Sequence, residues 1–258
     1  MDPAFLTMTI PPLANGTTPR IADVLVLQQL TGDGPGVLGQ WLDAQGASWH
    51  DLCTQAGDAF PASVRGYRAL AVLGGAWSAN DDRPSLRQAE TLIREADALG
   101  MPVIGHCLGG QLIAKALGGA VATQAVPEIG WQSITSTGSD LAREWLGEAN
   151  DAVVFQWHFV SFVALPPGAE LLASSAACSH QAFALRQHLG MQFHIEITPT
   201  KIATWLGRAG AGYPKAVQAF PASVQSPEAM NAATVQHQSS SEVLAAHIYA
   251  AWRRRWLT

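Results

Sequence analysis

The chain has 258 residues, a formal net charge of −5 and three cysteines. That length suits one large α/β domain or two small ones, no segment carries the unbroken apolar run of a membrane span, and the mild charge argues against a nucleic-acid or other polyanion partner. Cys53, Cys107 and Cys178 are too few and too scattered for a disulfide framework, contain no Cys-x-x-Cys pair for zinc, and point to a reducing, cytoplasmic interior.

Residues 1–7 precede a second methionine, Met8, and read as an expression leader, with residues 8–258 as a single domain. Val24-Leu25-Val26-Leu27 predicts a buried parallel strand, followed by the turn-rich stretch Thr31–Gly36 and a helix over Val37–Gln45. Ser48–Thr54 reads as a second strand. Tyr67–Leu73, apolar almost throughout, reads as a third and ends at Gly74-Gly75. Ser85–Leu99 carries Leu86, Ala89, Leu92, Ile93 and Ala96 on one face, an amphipathic helix that leads into a strand at Pro102–Ile104. Strands alternating with helices predict a mostly parallel sheet covered on both faces, with ligands at the carboxyl ends of its strands.

At Gly105-His106-Cys107-Leu108-Gly109 a strand ends and a helix begins, since Leu108, Leu112, Ile113, Ala116 and Leu117 recur at helical spacing up to Gly118-Gly119. Such a turn is tight, so a side chain on either flanking glycine would crowd it, and the bend lifts the Cys107 thiol above the sheet. The first amides of the helix lack intrahelical partners and the helix dipole is positive there, which favours a negatively charged sulfur. The same amides, Leu108 N–H among them, suit an oxyanion. A buried cysteine beside helix-packing glycines is the alternative for this short pattern. His106 itself reads as structural.

After Gly119 the pieces shorten: Ala120–Thr123, Ile129–Thr135, Ala152–Trp157, Glu170–Ser174, Ala182–Arg186 and Met191–Ile197 predict a mixed, partly antiparallel extension. Leu141–Leu146, Pro199–Leu206, Pro227–Gln236 and Glu242–Arg254 read as helices, with Ser226-Pro227 as N-cap and first-turn proline. In a strand at 191–197, His194 and Glu196 share a face, so the carboxylate can fix the imidazole tautomer that a cysteine nucleophile needs. A chance polar face is the alternative. His50-Asp51-x-Cys53 and Cys178-x-His180 lack companion metal motifs and read as core and loop residues. Trp77, Trp131 and Trp157 stand beside the motif loops and read as packing or pocket-wall residues.

Three separated pieces together resemble the class I, or triad, glutamine amidotransferases: the loop at 74–81 starting Gly74-Gly75, the elbow Gly105-x-Cys107-x-Gly109-x-Gln111, and His194-x-Glu196. Glu128-Ile-Gly130-Trp131 and the stretch at 165–175 resemble the stand-alone "GMP synthase-like" branch that includes plant γ-glutamyl peptidases, and the resemblance spans residues 21–258. It implies a flavodoxin-like sheet and a cysteine-dependent hydrolase or transferase of γ-glutamyl amides acting through a γ-glutamyl thioester. Carried over by position, Cys107 is the nucleophile, His194 the general acid and base, and Glu196 its orienting group. Gly75 and Leu108 supply oxyanion amides, while Gln111, His158, Phe159 and Val160 fall in the substrate-binding stretches. The resemblance implies no cofactor and no metal, with a small γ-glutamyl substrate and a separate synthetase or acceptor subunit as candidate partners.

Three positions depart from the family pattern. Ile195 stands where relatives have proline, and His106 where they have a small apolar residue. Phe159-Val160 replaces Gly-Asp in a Trp-His-Gly-Asp loop that approaches the amino-acid end of the donor. That last change motivates a second reading, a degenerate amidotransferase fold that binds a ligand or partner without turnover. A partner-activated glutaminase subunit and a redox protein using the elbow cysteine are further readings. Sparse lysine among abundant alanine and arginine suits a bacterial source with a GC-rich genome.

Overall fold

Val24–Gln28 (β1) is buried along its whole length, because Val24 and Val26 enter one apolar layer while Leu25 and Leu27 enter the other. The structure, a computed structural model, describes residues 20–148 and 150–257, so the expected leader lies outside the described residues. β1 pairs in parallel with Trp49–Cys53 (β2) and Ala69–Val72 (β3), and β3 pairs with Val103–His106 (β4). Between them run helices Val37–Ala44 (α1) and Pro84–Ala98 (α2). Leu108–Ala116 (α3) follows β4 directly. α2 and α3 cover one face with Leu86, Leu92, Ile93, Leu112 and Ile113. α1 covers the other with Leu38 and Leu42.

The second half adds Ala120–Ser136 (β5), Asp140–Leu146 (α4), Asp151–Ala164 (β6), Glu170–Ser174 (β7), Ala182–Leu185 (β8) and His188–Met191 (β9). β9 pairs in parallel with β4, whereas β8, β7, β5 and β6 join antiparallel. Among the described residues the sheet has nine strands in the order β2-β1-β3-β4-β9-β8-β7-β5-β6. The helices Pro199–Arg208 (α5), Gly212–Ala219 (α6) and Pro227–Leu257 (α7) complete the chain. α7 packs Tyr249 and Trp252 with Trp145 of α4 against the α1 face. α5 and α6 build a third core with Ile129, Trp131 and Phe155. No helix among the described residues is long and apolar enough to cross a membrane.

The parallel half and the mixed extension match the sequence pattern, and five details differ. The pieces at 120–123 and 129–135 are one strand, since an irregularity between Thr123 and Glu128 lets both pair with β6. His158–Val160, placed in a loop by the resemblance, lies inside β6. Met191–Ile197 is not a strand: regular pairing stops at Met191, and His194 makes only an isolated bridge to Phe155. The two helices expected after Pro227 are one, because the polar run Gln236–Ser241 contains neither glycine nor proline and packing on either side carries it through. α6, opening at Gly212 with Pro214 in its first turn, is not among the predicted helices.

The packing of α3 on the sheet requires Gly109, where a Cβ would collide with the backbone carbonyl of Val72 in β3. Relief would need a helix or a strand to move. Gly109→Ala should therefore destabilise the fold by about 1–3 kcal/mol, read as a lower urea midpoint at unchanged slope.

Candidate active site

Cys107 joins β4 to α3 with φ 49° and ψ −108°, one of two non-glycine residues with positive φ among the described residues. A backbone of this kind costs about 1–3 kcal/mol and persists only where its surroundings enforce it. Here its N–H donates to the Met191 carbonyl at 2.9 Å, and Gly105 packs so closely on Gly109 that a Cβ would lie 2.5 Å from the Gly109 carbonyl carbon. The thiol is thereby lifted to the carboxyl end of the sheet. Its sulfur accepts a hydrogen bond from Gln192 Nε2 at 3.4 Å and lies 3.9 Å from the Trp157 carbonyl oxygen.

His194 reaches the same point although the chain has left the ladder. Its N–H donates to the Phe155 carbonyl at 2.9 Å, which fixes the backbone, and Nδ1 pairs with Glu196 Oε1 at 2.7 Å. The ring lines the same cavity as the Cys107 side chain and stands edge-on to Trp205 with centroids 4.8 Å apart. Burial opposes a charge on His194, but the Glu196 carboxylate and the Cys107 sulfur outweigh it and raise its pKa to about 10. Burial also opposes the charge on Glu196. Lys201, with Nζ 3.3 Å from Oε1, and then His194 hold its carboxyl well below the usual range. His106 approaches the other Glu196 oxygen at 4.0 Å and meets the Tyr249 hydroxyl at 3.2 Å. Burial pushes His106 down to about 4, so at neutral pH it is an uncharged neighbour of the carboxylate.

A cavity of about 300 Å³ opens over Cys107 and His194, with Gly75, Trp157 and Trp205 in its walls and Asp33 and Arg208 as its other ionisable lining groups. Cys107, His194, Glu196 and Gly75 thus converge as the sequence predicts, and Leu108 provides the first amide of α3. The predicted substrate-binding residues sit elsewhere. Gln111 is buried, donating to the Val160 carbonyl at 2.9 Å and to Gln192 Oε1 at 3.2 Å. His158 points into a buried cluster, 3.1 Å from Glu128 Oε2, which also accepts from Gln181. Phe159 is 43% exposed, and neither it nor Val160 lines the cavity. The reason is that this stretch is β6 strand, whose alternation and pairing to β5 fix its side chains.

Trp131 is buried against Thr234, and Trp77 carries the Arg83 guanidinium over its ring. His50 pairs with the Tyr67 hydroxyl and Cys178 with Ser161. Gln192 is a contact that the sequence analysis missed although it lies two residues from His194. Asp33, Lys201, Trp205 and Arg208 carry no local signal.

The model of the class-I glutamine amidotransferase family matches residues 56–207. The chain belongs to the class-I glutamine amidotransferases. Among solved structures, a glutamine amidotransferase from Methylobacillus flagellatus is 36% identical and superposes with a TM-score of 0.85 over 91% of this chain and 95% of that one. YfeJ of Salmonella typhimurium, a glutamine amidotransferase-like protein, is 31% identical over 64% of this chain and 72% of its own length. The glutamine-hydrolysing GMP synthase of Aromatoleum aromaticum is 36% identical over 110 residues. That match covers 40% of this chain and 21% of the synthase, so the amidotransferase spans about a fifth of such relatives.

Removing Cys107 removes one of the two groups that raise the pKa of His194. In Cys107→Ala the imidazole should titrate below the native value of about 10, as followed by NMR of the ring protons. The folded pKa of His194 exceeds its ordinary value of 6.5, so its contribution to stability is complete below about pH 6.5 and is lost as pH rises towards 10. Over that window the urea midpoint of the native chain should fall more than that of His194→Gln.

Proposed function

We propose that this chain cleaves γ-glutamyl amides through a Cys107–His194–Glu196 triad. The observation that carries the reading is that Cys107 and His194 line one cavity, with His194 paired to the buried Glu196 carboxylate at 2.7 Å. Because Nδ1–H of the imidazole donates to Glu196, Nε2 is left for the thiol and for the leaving group.

The Cys107 thiol gives its proton to His194 Nε2 as Sγ attacks the side-chain carbonyl carbon and the π electrons move to oxygen. The Gly75 and Leu108 amides then receive the oxyanion, Leu108 N–H being unpaired by its position as the first residue of α3. Collapse expels the amine, which takes its proton from His194, and leaves a γ-glutamyl thioester on Cys107. His194 next removes a proton from water, hydroxide adds to the thioester carbonyl, and collapse releases free glutamate and the sulfur. An amine in place of water gives transfer instead of hydrolysis. Gln192 steadies the sulfur through its Nε2 hydrogen bond at 3.4 Å.

A second reading is supported by the match to a fifth of a glutamine-hydrolysing synthase: the chain releases ammonia for a separate synthetase subunit. The two readings differ in whether the isolated chain turns over on its own.

Ammonia or amine release from glutamine, γ-glutamyl peptides and γ-glutamyl anilide decides between them. The isolated native chain should cleave at least one donor and Cys107→Ala none. His194→Gln should slow turnover by about 10²–10⁴-fold. Activity that persists in Cys107→Ala would exclude the triad, and silence of the native chain would favour a partner-dependent subunit.

A further inference from the structure

A γ-glutamyl donor is a zwitterion at the end remote from its scissile bond, so a site that selects it needs one cation and one anion near the nucleophile. His158, Phe159 and Val160 do not line the cavity, and another wall must do this work. Apart from Cys107 and His194, Asp33 and Arg208 are the ionisable groups of that lining. They come from the β1–α1 loop and the last turn of α5.

The Arg208 side chain is exposed and makes no hydrogen bond or ion pair with any described residue. Its guanidinium lies over Gly32, where any side chain would collide with it. A planar cation kept free at a cavity wall is suited to two parallel hydrogen bonds to a carboxylate. Asp33 is its complement. It is 8% exposed, and Trp205 Nε1–H donates to its Oδ1 at 2.6 Å, which holds the carboxylate in place while leaving acceptor capacity on both oxygens. Burial raises the Asp33 pKa against the pull of Lys201 and His194, so an incoming ammonium restores a partner that desolvation removed. Trp205 touches both Asp33 and the His194 ring, so one indole fixes the anchor relative to the base.

We propose that Arg208 and Asp33 form the specificity subsite of this cavity, Arg208 binding the α-carboxylate and Asp33 the α-ammonium of the γ-glutamyl group. The inference rests on the γ-glutamyl reading above and adds which residues select that acyl group.

Three anilides with the same scissile bond test it: γ-L-glutamyl, glutaryl (no ammonium) and 4-aminobutanoyl (no carboxylate). Arg208→Ala should lower kcat/KM on the γ-glutamyl and glutaryl anilides about 10- to 100-fold more than on the 4-aminobutanoyl anilide, the range for a lost charged hydrogen bond. Asp33→Asn keeps the shape and the Trp205 contact. It should give the converse pattern, penalising the γ-glutamyl and 4-aminobutanoyl anilides over the glutaryl one. Equal losses on all three, or none, with cleavage still dependent on Cys107, would overturn the subsite and leave the triad reading intact. If the native chain cleaves none of the anilides, calorimetric binding of γ-L-glutamyl anilide to Cys107→Ala decides the subsite. Binding weakened about tenfold or more by adding Arg208→Ala supports it, and absent or unchanged binding overturns it.

Discussion

The buried carboxylate of Glu196 is the point on which the site depends. A lone carboxylate at this depth would be unfavourable by several kcal/mol, so the fold must bring positive and donor groups to it. Lys201 arrives from the first turn of α5 and also donates to the Gly34 carbonyl at 2.9 Å, which ties α5 to the loop after β1. The Glu196 backbone carbonyl accepts from Val37 N–H at 3.1 Å and so fixes the start of α1. His106, one residue before the cysteine, joins the carboxylate to Tyr249 of α7. Four elements far apart in sequence are thus registered on one group, and the imidazole takes its orientation from the same group.

The cysteine is held by a different force. Its backbone is strained, and what maintains the strain is steric and apolar: glycines that let α3 lie against β3 and β4, and the layer of Leu112, Ile113 and Leu92 beneath. Packing of this kind is stiff, since a displaced turn would open voids in a close-packed layer. The electrostatic half of the site therefore meets a nucleophile whose position is fixed independently. The bond from Cys107 N–H to Met191 joins the two halves, because Met191 is the last residue of β9 before the chain turns towards His194.

His106 shows how a departure from the family pattern is absorbed. A charged imidazole next to Glu196 would compete with His194 for the carboxylate. Burial keeps His106 neutral, so it acts as a polar spacer between Glu196 and Tyr249, and Lys201 supplies the compensating charge. Ile195 is buried in the apolar layer on the opposite side of the chain from His194 and Glu196, which pair across it. Its side chain is anchored by packing where a proline would have stiffened the backbone.

Local periodicity determined much of this protein. The apolar runs of β1, β3 and β4, the amphipathic α2 and the glycines around Cys107 specify a parallel sheet with a strand-to-helix turn, because neighbouring residues alone set these preferences. The nearness of His194 and Glu196 was legible for the same reason, and it survives the loss of the strand because the two side chains still pair at 2.7 Å. Tertiary structure decided the rest. Whether His158–Val160 is loop or strand depends on pairing with β5, and whether Gln236–Ser241 breaks α7 depends on the packing of its flanks. The grouping of Asp33, Trp205 and Arg208 around the cavity, and of Lys201 on Glu196, is set by how α5 docks on the loop after β1. Those contacts join residues about 170 positions apart, as between Asp33 and Trp205. No local pattern encodes them, since their free energy exists only after the chain has closed on itself.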